Sequence, residues 1–264
     1  MKNHTFSIIG GGNMGSAIAE GLIKSGLFQP GQIIISDIRQ KHLSGLIEKG
    51  VQVTSDNVEA VKKATIVLLA IKPYHANQIL AEIKSTLDPA KQLLLSIAAG
   101  ISLSQIQEVV GNMPVFRIMP NTAIAIQESM TCISVLNAKP EQEEMVVNIF
   151  NHLGKTAVIP EDLINAATVL GSCGTAFALR FLRASMQGGI EIGFNSELAQ
   201  LISAQTLLGA SRLILEGGRH PEQEIDKVTT PQGITIVGLN EMEHQGFSSA
   251  LIKGVITSYS KLKK

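Results

Sequence analysis

Near the start of the chain, a short apolar run leads directly into a glycine-rich segment, and this arrangement constrains the fold more than any other feature. The glycines at positions 10, 12 and 15 fit the spacing G-x-G-x-x-G. The residues before them, Thr5–Gly10, predict a buried strand, and Met14–Ser25 predicts a helix. A strand, a glycine turn and a helix in this order are typical of the first unit of a dinucleotide-binding α/β sheet.

Each glycine in this segment has a separate physical role. Gly10 permits a tight turn, Gly12 lets the backbone approach a pyrophosphate, and Gly15 allows the helix to pack closely on the strand. The start of the helix presents free N–H groups and its positive dipole end to the phosphates. A glycine-rich turn without a ligand is the alternative interpretation. The predicted cofactor-binding residues are Gly10, Gly12, Asn13, Met14 and Gly15.

The rest of residues 1–160 alternates short apolar runs with helical patterns. Further strands are predicted at Ile33–Asp37, Thr65–Ile71, Gln92–Ala98, Val115–Met119, Thr131–Leu136 and Lys155–Pro160. Further helices are predicted at Lys41–Lys49, His75–Leu87, Ser102–Val109 and Glu141–Leu153. Several strands are apolar without alternation, as in parallel sheets covered on both faces. The pattern predicts a Rossmann-type doubly wound α/β sheet.

The pattern changes near residue 160, where we place the domain boundary. Residues 161–264 are predicted to form an all-α domain with helices at Asp162–Ile192, Ser196–Glu216, His220–Lys227, Gly233–Glu243 and Gly246–Lys261. The segment from Ala199 to Leu215 is too apolar for one small domain to cover. We therefore expect these helices to associate with a second copy of the chain.

Composition excludes several other classes of protein. The 264 residues include 22 Lys and Arg against 22 Asp and Glu, which gives a formal net charge of zero. This balance disfavours a nucleic-acid partner and a polybasic membrane-binding surface. Charged residues make up 17%, below the roughly 25% that is usual for soluble domains. The low charge also indicates that apolar surface is buried against a partner.

Cysteine, histidine and hydropathy patterns bear on compartment and metals. Cys132 and Cys173 have no companion at metal-ligand spacing, and the histidines form no short-spaced cluster, so we expect no metal site. The longest uninterrupted apolar run, Ile66 to Ile71, is shorter than the ~18 residues of a membrane span. The apolar N-terminal run is too brief for a signal peptide. These features predict a cytoplasmic protein with reduced thiols and no membrane partner.

The end of the second predicted strand bears on the choice between NAD and NADP. Asp37 follows Gly15 by 22 residues, where a carboxylate accepts from the ribose 2′-hydroxyl of NAD. Arg39 and Lys41 come next, and cations at this place pair with the 2′-phosphate of NADP. In a third interpretation Asp37 only begins a turn and both cations are solvated. The sequence leaves all three interpretations open.

Further motifs follow in order along the chain. They are Ala70-Ile71-Lys72-Pro73, Ser96-Ile97-Ala98-Ala99-Gly100-Ile101, Arg117-Ile118-Met119-Pro120-Asn121-Thr122, Gly171-Ser172-Cys173-Gly174 and Thr229-Thr230-Pro231-Gln232-Gly233-Ile234-Thr235. Their order resembles the pyrroline-5-carboxylate reductase family over essentially the whole chain. The resemblance implies NAD(P)H-dependent reduction of 1-pyrroline-5-carboxylate to L-proline, with NADP as the first choice of cofactor and NAD as the second. It also implies a homodimer or higher oligomer, with the active site between a nucleotide domain and interface helices.

Ligands of open α/β sheets lie beyond the carboxyl ends of the strands. We therefore expect a group of residues at three strand ends to line the nicotinamide: Ala70, Lys72, Pro73, Ala98, Ala99, Gly100 and Asn121. A solvated loop lysine is the structural alternative for Lys72. An Asx-turn after proline is the alternative for Asn121.

The segment from Thr229 to Thr235 is predicted to hold the substrate. A Thr-Pro loop that leads into a helix leaves free N–H groups at Gly233, Ile234 and Thr235, which suit a carboxylate. The Thr230 hydroxyl adds a hydrogen bond. The resemblance implies that the Thr235 hydroxyl faces the ring nitrogen and assists with its proton. A Thr helix cap without a ligand is the alternative.

The chain departs from the family pattern at four positions. Thr175 and Phe177 stand where the family has Pro and Tyr, and Gln232 and Ile234 stand where it has Gly and Thr or Ala. The changes at 232 and 234 support an alternative function, a non-catalytic or substrate-shifted paralogue that binds dinucleotide and acts as a regulator. A 3-hydroxyacid dehydrogenase is disfavoured, because it would need a lysine in the first long helix and none occurs between positions 163 and 216.

Overall fold

The computed structural model describes residue 1 and residues 3–262, and these form two compact units. The first unit is Met1–Ser172 and the second is Cys173–Lys264. The last strand of the first unit ends at Val158. The domain boundary predicted near residue 160 stays a prediction.

The first unit is built on one eight-stranded sheet with the order β3-β2-β1-β4-β5-β6-β7-β8. The strands are β1 (Phe6–Ile9), β2 (Ile33–Ser36), β3 (Gln52–Thr54), β4 (Ile66–Leu69), β5 (Leu93–Ser96), β6 (Val115–Met119), β7 (Ser129–Leu136) and β8 (Gly154–Val158). Strands β6 and β7 pair antiparallel, and every other neighbouring pair is parallel. The order of the first six strands confirms the predicted doubly wound sheet.

Helices cover both faces of this sheet. They are α1 (Asn13–Lys24), α2 (Ser44–Glu48), α3 (Asn57–Lys62), α4 (Ala76–Ile83), α5 (Leu103–Val110), α6 (Pro140–Asn151) and α7 (Ile164–Ala167). Successive residues of β1 point to opposite faces, so Phe6 packs in a cluster with Ile18 of α1, whereas Ile9 packs in a second cluster with Leu80 of α4. Burial of each such side chain contributes about 1.5–3 kcal/mol. The two-sided core therefore holds the strand ends in fixed positions.

The second unit is helical, as predicted, and it buries little of its own apolar surface. Its helices are α8 (Gly174–Glu191), α9 (Ser196–Gly217), α10 (Pro221–Lys227), α11 (Ile234–His244) and α12 (Phe247–Leu262). Within residues 173–262, the buried hydrophobic side chains are Met186 and Ala199 alone. Large side chains such as Leu201, Leu213 and Ile252 are exposed. A unit with so small a core requires another surface to cover these side chains.

Two helical stretches in the described part of the chain, Glu161–Glu191 and Ser196–Gly217, are long and apolar enough to span a membrane by length and composition alone. The expectation that no stretch reaches this length is therefore wrong. The expectation rested on uninterrupted apolar runs, whereas these helices are apolar on average over 18 residues although polar residues are interspersed. Little of either stretch is buried within the chain, which agrees with the predicted self-association.

The main departures from the sequence prediction are a strand, a helix and a π-helix. Strand β3 and helix α3 were not predicted, because each is short and β3 is partly exposed at the edge of the sheet. The helix predicted over Asp162–Ile192 is interrupted by a π-helix at Thr168–Cys173. Widened helical turns of this kind are rare and frequently mark functional sites.

Candidate functional site

Two glycines in the turn after β1 are required by the packing around them. Gly10 has φ +102°, and a Cβ there would collide with the carbonyl oxygen of Ala70 at the end of β4. A Cβ at Gly15 would collide with the carbonyl oxygen of Gly10. The absence of side chains at both positions lets α1 and the β4 loop approach the turn closely.

Gly12 lies in the opposite environment, since it is exposed and faces open space. Its φ of −64° is accessible to any residue, and a Cβ built there would meet no atom within 4 Å. Gly12 is the N-cap of α1, and no side chain caps that helix. The first N–H groups of α1 and its positive dipole end therefore border an open space next to a bare backbone. These features fit a pyrophosphate.

The peptide groups of Gly11 are held by three side chains, which we call the Gly11 clamp: Ser16, Asp37 and His42. The N–H of Gly11 donates to Asp37 Oδ2 at 2.8 Å. Its carbonyl oxygen accepts from Ser16 Oγ at 2.6 Å and contacts His42 Nε2 at 2.7 Å. A carbonyl only accepts, so His42 Nε2 carries the hydrogen. The sequence motif gave no signal for this clamp.

The carboxylate of Asp37 also begins a turn, as in the third interpretation of this segment. Asp37 Oδ1 accepts from the N–H of Arg39 at 2.7 Å, while the side chains of Arg39 and Lys41 are exposed. Each carboxylate oxygen has a second acceptor position, so the proposed bond from Asp37 to a ribose hydroxyl stays a prediction.

Parallel pairing brings the carboxyl ends of β1, β4, β5 and β6 to one edge of the sheet. There Ala70 donates its N–H to Ile9 O at 2.8 Å. Lys72 and Pro73 are exposed, as are Ala99 and Gly100. Ala98 is buried, and its N–H is bonded to Ser96 Oγ at 3.2 Å. The structure thus brings these predicted residues to the sheet edge that also carries the glycine turn, and their contacts with a cofactor stay a prediction.

Asn121 is buried and hydrogen-bonded through both ends of its amide. Its Oδ1 accepts from the N–H of Ala123 at 3.0 Å, which is the Asx-type arrangement considered above, and its Nδ2 donates to Gly171 O at 2.9 Å. The side chain therefore links the end of β6 to the π-helix. Direct binding of a cofactor by Asn121 stays a prediction.

The predicted substrate loop lies in the second unit and leads into α11. Gly233 is the N-cap of this helix, and its N–H donates to Thr230 O at 2.9 Å. The expectation that the N–H of Gly233 is free is therefore wrong, because the turn before the helix uses it. Helix α11 has no side-chain cap, and both Ile234 and Thr235 at its start are exposed. Its N-terminus suits an anion.

Comparison with known proteins decides the family. Residues 161–264 match the family described as "Pyrroline-5-carboxylate reductase dimerisation", and residues 5–100 match "NADP oxidoreductase coenzyme F420-dependent". "Pyrroline-5-carboxylate reductase 2" of Dictyostelium discoideum is 41% identical over 100% of this chain and 93% of that protein. The chain belongs to the pyrroline-5-carboxylate reductase family. The resemblance inferred from the motifs is confirmed.

Other members of the pyrroline-5-carboxylate reductase family agree in sequence and in fold. "Pyrroline-5-carboxylate reductase 1" of Dictyostelium discoideum is 42% identical over 97% of this chain, which spans only 48% of that longer protein. The crystal structure of Plasmodium falciparum pyrroline carboxylate reductase with NADP bound is 26% identical, with a TM-score of 0.89. That match covers 100% of this chain and 98% of the solved one. The dimerisation match supports self-association of this family member through its helical part.

Proposed function

We propose that the chain reduces 1-pyrroline-5-carboxylate to L-proline with NADPH. The proposal rests on the open glycine turn at the start of α1, found in a chain that aligns along its whole length with a pyrroline-5-carboxylate reductase. A hydride adds to the imine carbon and a proton adds to the nitrogen. The C=N bond becomes a C–N single bond, and NADPH is oxidised to NADP⁺.

The residues of the first unit fit a dinucleotide, and bound NADPH supplies the hydride. Backbone N–H groups at the start of α1 bind the pyrophosphate, and the open space at Gly12 lets it approach. Arg39 pairs with the 2′-phosphate, assisted by Lys41. Lys72 and Gly100, at exposed strand ends, flank the nicotinamide. The other predicted residues of this part of the site are Ala70, Pro73, Ala98, Ala99 and Asn121. The NADP in the solved Plasmodium falciparum relative supports NADP as the preferred cofactor.

The substrate carboxylate binds at the N-terminus of α11. The N–H groups of Ile234 and Thr235 donate to it, and the Thr230 hydroxyl contributes a further hydrogen bond. The Thr235 hydroxyl holds the proton at the ring nitrogen. The uncapped start of this 11-residue helix supports the assignment, since its dipole favours an anion there. Because an imine is electrophilic once protonated, orientation and exclusion of water supply most of the rate enhancement.

We also propose that the active form is a homodimer or a higher oligomer in the cytoplasm, without nucleic acid or membrane as a partner. The small buried core of residues 173–262 supports association through the helices. The zero formal net charge supports the lack of a nucleic-acid partner. The dimerisation match that begins at residue 161 supports a domain boundary near residue 160.

The second candidate function is a regulator that binds dinucleotide without turnover. Gln232 has φ +59°, where the family pattern has glycine, and Ile234 is 93% exposed at the start of α11. Both residues alter the proposed substrate loop.

Oxidation of NADPH and of NADH with 1-pyrroline-5-carboxylate, with proline measured as product, separates the two functions. We expect turnover with NADPH. Binding of dinucleotide without proline formation from either cofactor would reject the reductase and favour the regulator.

A further inference from the structure

The Gly11 clamp holds a backbone segment that would otherwise be conformationally flexible. Gly11 lies between Gly10 and Gly12, and glycine loses more conformational freedom on folding than any other residue. One side chain of the clamp comes from α1, a second from the end of β2, and the third from the 3₁₀-helix Lys41–Leu43. The clamp thus fixes the N–H and the carbonyl of Gly11 from three separate elements.

We propose that His42 is a positioning residue for the dinucleotide, acting through the Gly11 carbonyl. The imidazole holds the glycine turn in the conformation that aims Gly12 and the start of α1 at the pyrophosphate. A loop ordered before binding loses less entropy when its ligand arrives, so the clamp increases affinity without a contact to the ligand. The inference rests on the proposed function only in that the ligand is a nicotinamide dinucleotide.

The surroundings of His42 favour this role over a purely structural one. His42 itself is exposed and contributes little to the core, whereas the next residue, Leu43, is fully buried and anchors the 3₁₀-helix. The side chain of Leu43 also lies against Gly11, where a Cβ would come within 2.9 Å of it. Loss of the imidazole therefore leaves the core in place and frees mainly the Gly11 carbonyl.

The test compares direct binding of NADP⁺ and NAD⁺ to the whole chain by titration calorimetry, without substrate. We expect His42→Ala to raise both Kd values about three- to tenfold, the range for one lost hydrogen bond. His42→Gln restores an N–H donor, and we expect its Kd values to lie within about twofold of the wild type. The melting temperature without cofactor should fall by no more than a few degrees, about the contribution of one hydrogen bond. The KM for the imine at saturating NADPH should stay unchanged.

His152→Ala is the matched control. Its ring also contacts a backbone carbonyl, that of Asn148, at 2.8 Å, but at the end of α6, where no candidate site residue lies. We expect no change in either Kd for this variant.

Three results would overturn the inference. A higher Kd of His42→Ala for NADP⁺ alone would indicate that His42 contacts the 2′-phosphate directly. Unchanged Kd values with a markedly lower melting temperature would indicate a purely structural role. If His42→Gln binds the dinucleotides no better than His42→Ala, the hydrogen bond to the Gly11 carbonyl is excluded as the cause. If the wild-type chain makes no proline but His42→Ala still binds both dinucleotides more weakly than the wild type does, the proposed function is rejected and the positioning role stays supported.

Discussion

Arg117 in β6 and Glu161 after β8 form an ion pair, with 3.1 Å between Nη1 and Oε1. The Arg117 side chain is only 8% exposed, and that of Glu161 is 30% exposed. The same Glu161 oxygen accepts from the N–H of Leu103, the first residue of α5, at 2.6 Å. One carboxylate therefore joins β6 and the start of α5 to the segment that follows the sheet.

Glu161→Ala removes this link and leaves the Arg117 guanidinium buried without its counter-charge. We expect the free energy of unfolding to fall by about 2–3 kcal/mol, below the ~3–5 kcal/mol of fully buried pairs because Glu161 is partly solvated. Urea denaturation of the wild type and the variant measures the change. Asp162→Ala, at an exposed neighbouring position, is the control. Equal effects of the two substitutions would show that the ion pair contributes nothing.

Gly12→Ala and Gly15→Ala separate ligand approach from packing. The Gly12 methyl group enters open space at a permitted backbone conformation, which favours alanine, but alanine is a poorer N-cap than glycine, so we expect the unfolding free energy to change by less than about 1 kcal/mol. That methyl group obstructs the pyrophosphate, and we expect the Kd for NADP⁺ to rise by about tenfold or more. Gly15→Ala should instead lower stability by about 1–3 kcal/mol through overpacking. A Gly12→Ala variant with wild-type affinity would show that the cofactor lies elsewhere.

Arg39→Ala tests the choice between NADP and NAD. Loss of a charge-assisted hydrogen bond to the 2′-phosphate should raise the Kd for NADP⁺ about tenfold or more and leave that for NAD⁺ within about twofold. Calorimetric titration with both cofactors measures the two values. Lys91→Ala, an exposed lysine paired with Asp88, is the control for loss of surface charge. Equal weakening of both cofactors by Arg39→Ala would place the 2′-phosphate away from this side chain.

The backbone at Gln232 has a left-handed φ of +59°, which is strained for a residue with a Cβ. Gln232→Gly removes this strain. We expect stability to rise by up to about 1 kcal/mol, because the relief of strain exceeds the added flexibility of the unfolded chain. Asn137→Gly is the matched control, since Asn137 is also exposed and has φ +58°. If the loop holds the substrate, only Gln232→Gly changes the KM for the imine. A changed KM in the control alone would contradict the substrate assignment.

The sequence predicts the long and strongly patterned elements of this fold well, and the short ones poorly. Strand β6 at Val115–Met119 is predicted with its observed bounds, because four of its five residues are apolar. Strand β3 spans only Gln52–Thr54, and three residues are too few to show an alternating pattern. The π-helix at Thr168–Cys173 was predicted as continuous helix, since a single widened turn barely changes the periodicity of apolar residues.

In the candidate site, spacing predicts the glycines but not the contacts that hold them. The reasons for glycine at Gly10 and Gly15 follow from the motif, and the structure shows the close approaches that require them. The bond from Gly11 to Asp37 joins residues from two strand ends, and local sequence carries no information on its geometry. An arginine at position 117 in an otherwise apolar strand was an available signal, because a buried charge requires a partner.

Hydride transfer to the imine carbon is tested most directly with NADPH deuterated at the transferable C4 position, supplied as each of the two C4 epimers. Proline formed from 1-pyrroline-5-carboxylate is then examined by mass spectrometry. We predict that one epimer gives proline with a single deuterium on the ring carbon that adjoins nitrogen and lacks the carboxylate, and that the other epimer gives unlabelled proline. Absence of proline, or proline without deuterium from either epimer, would contradict the proposed reduction.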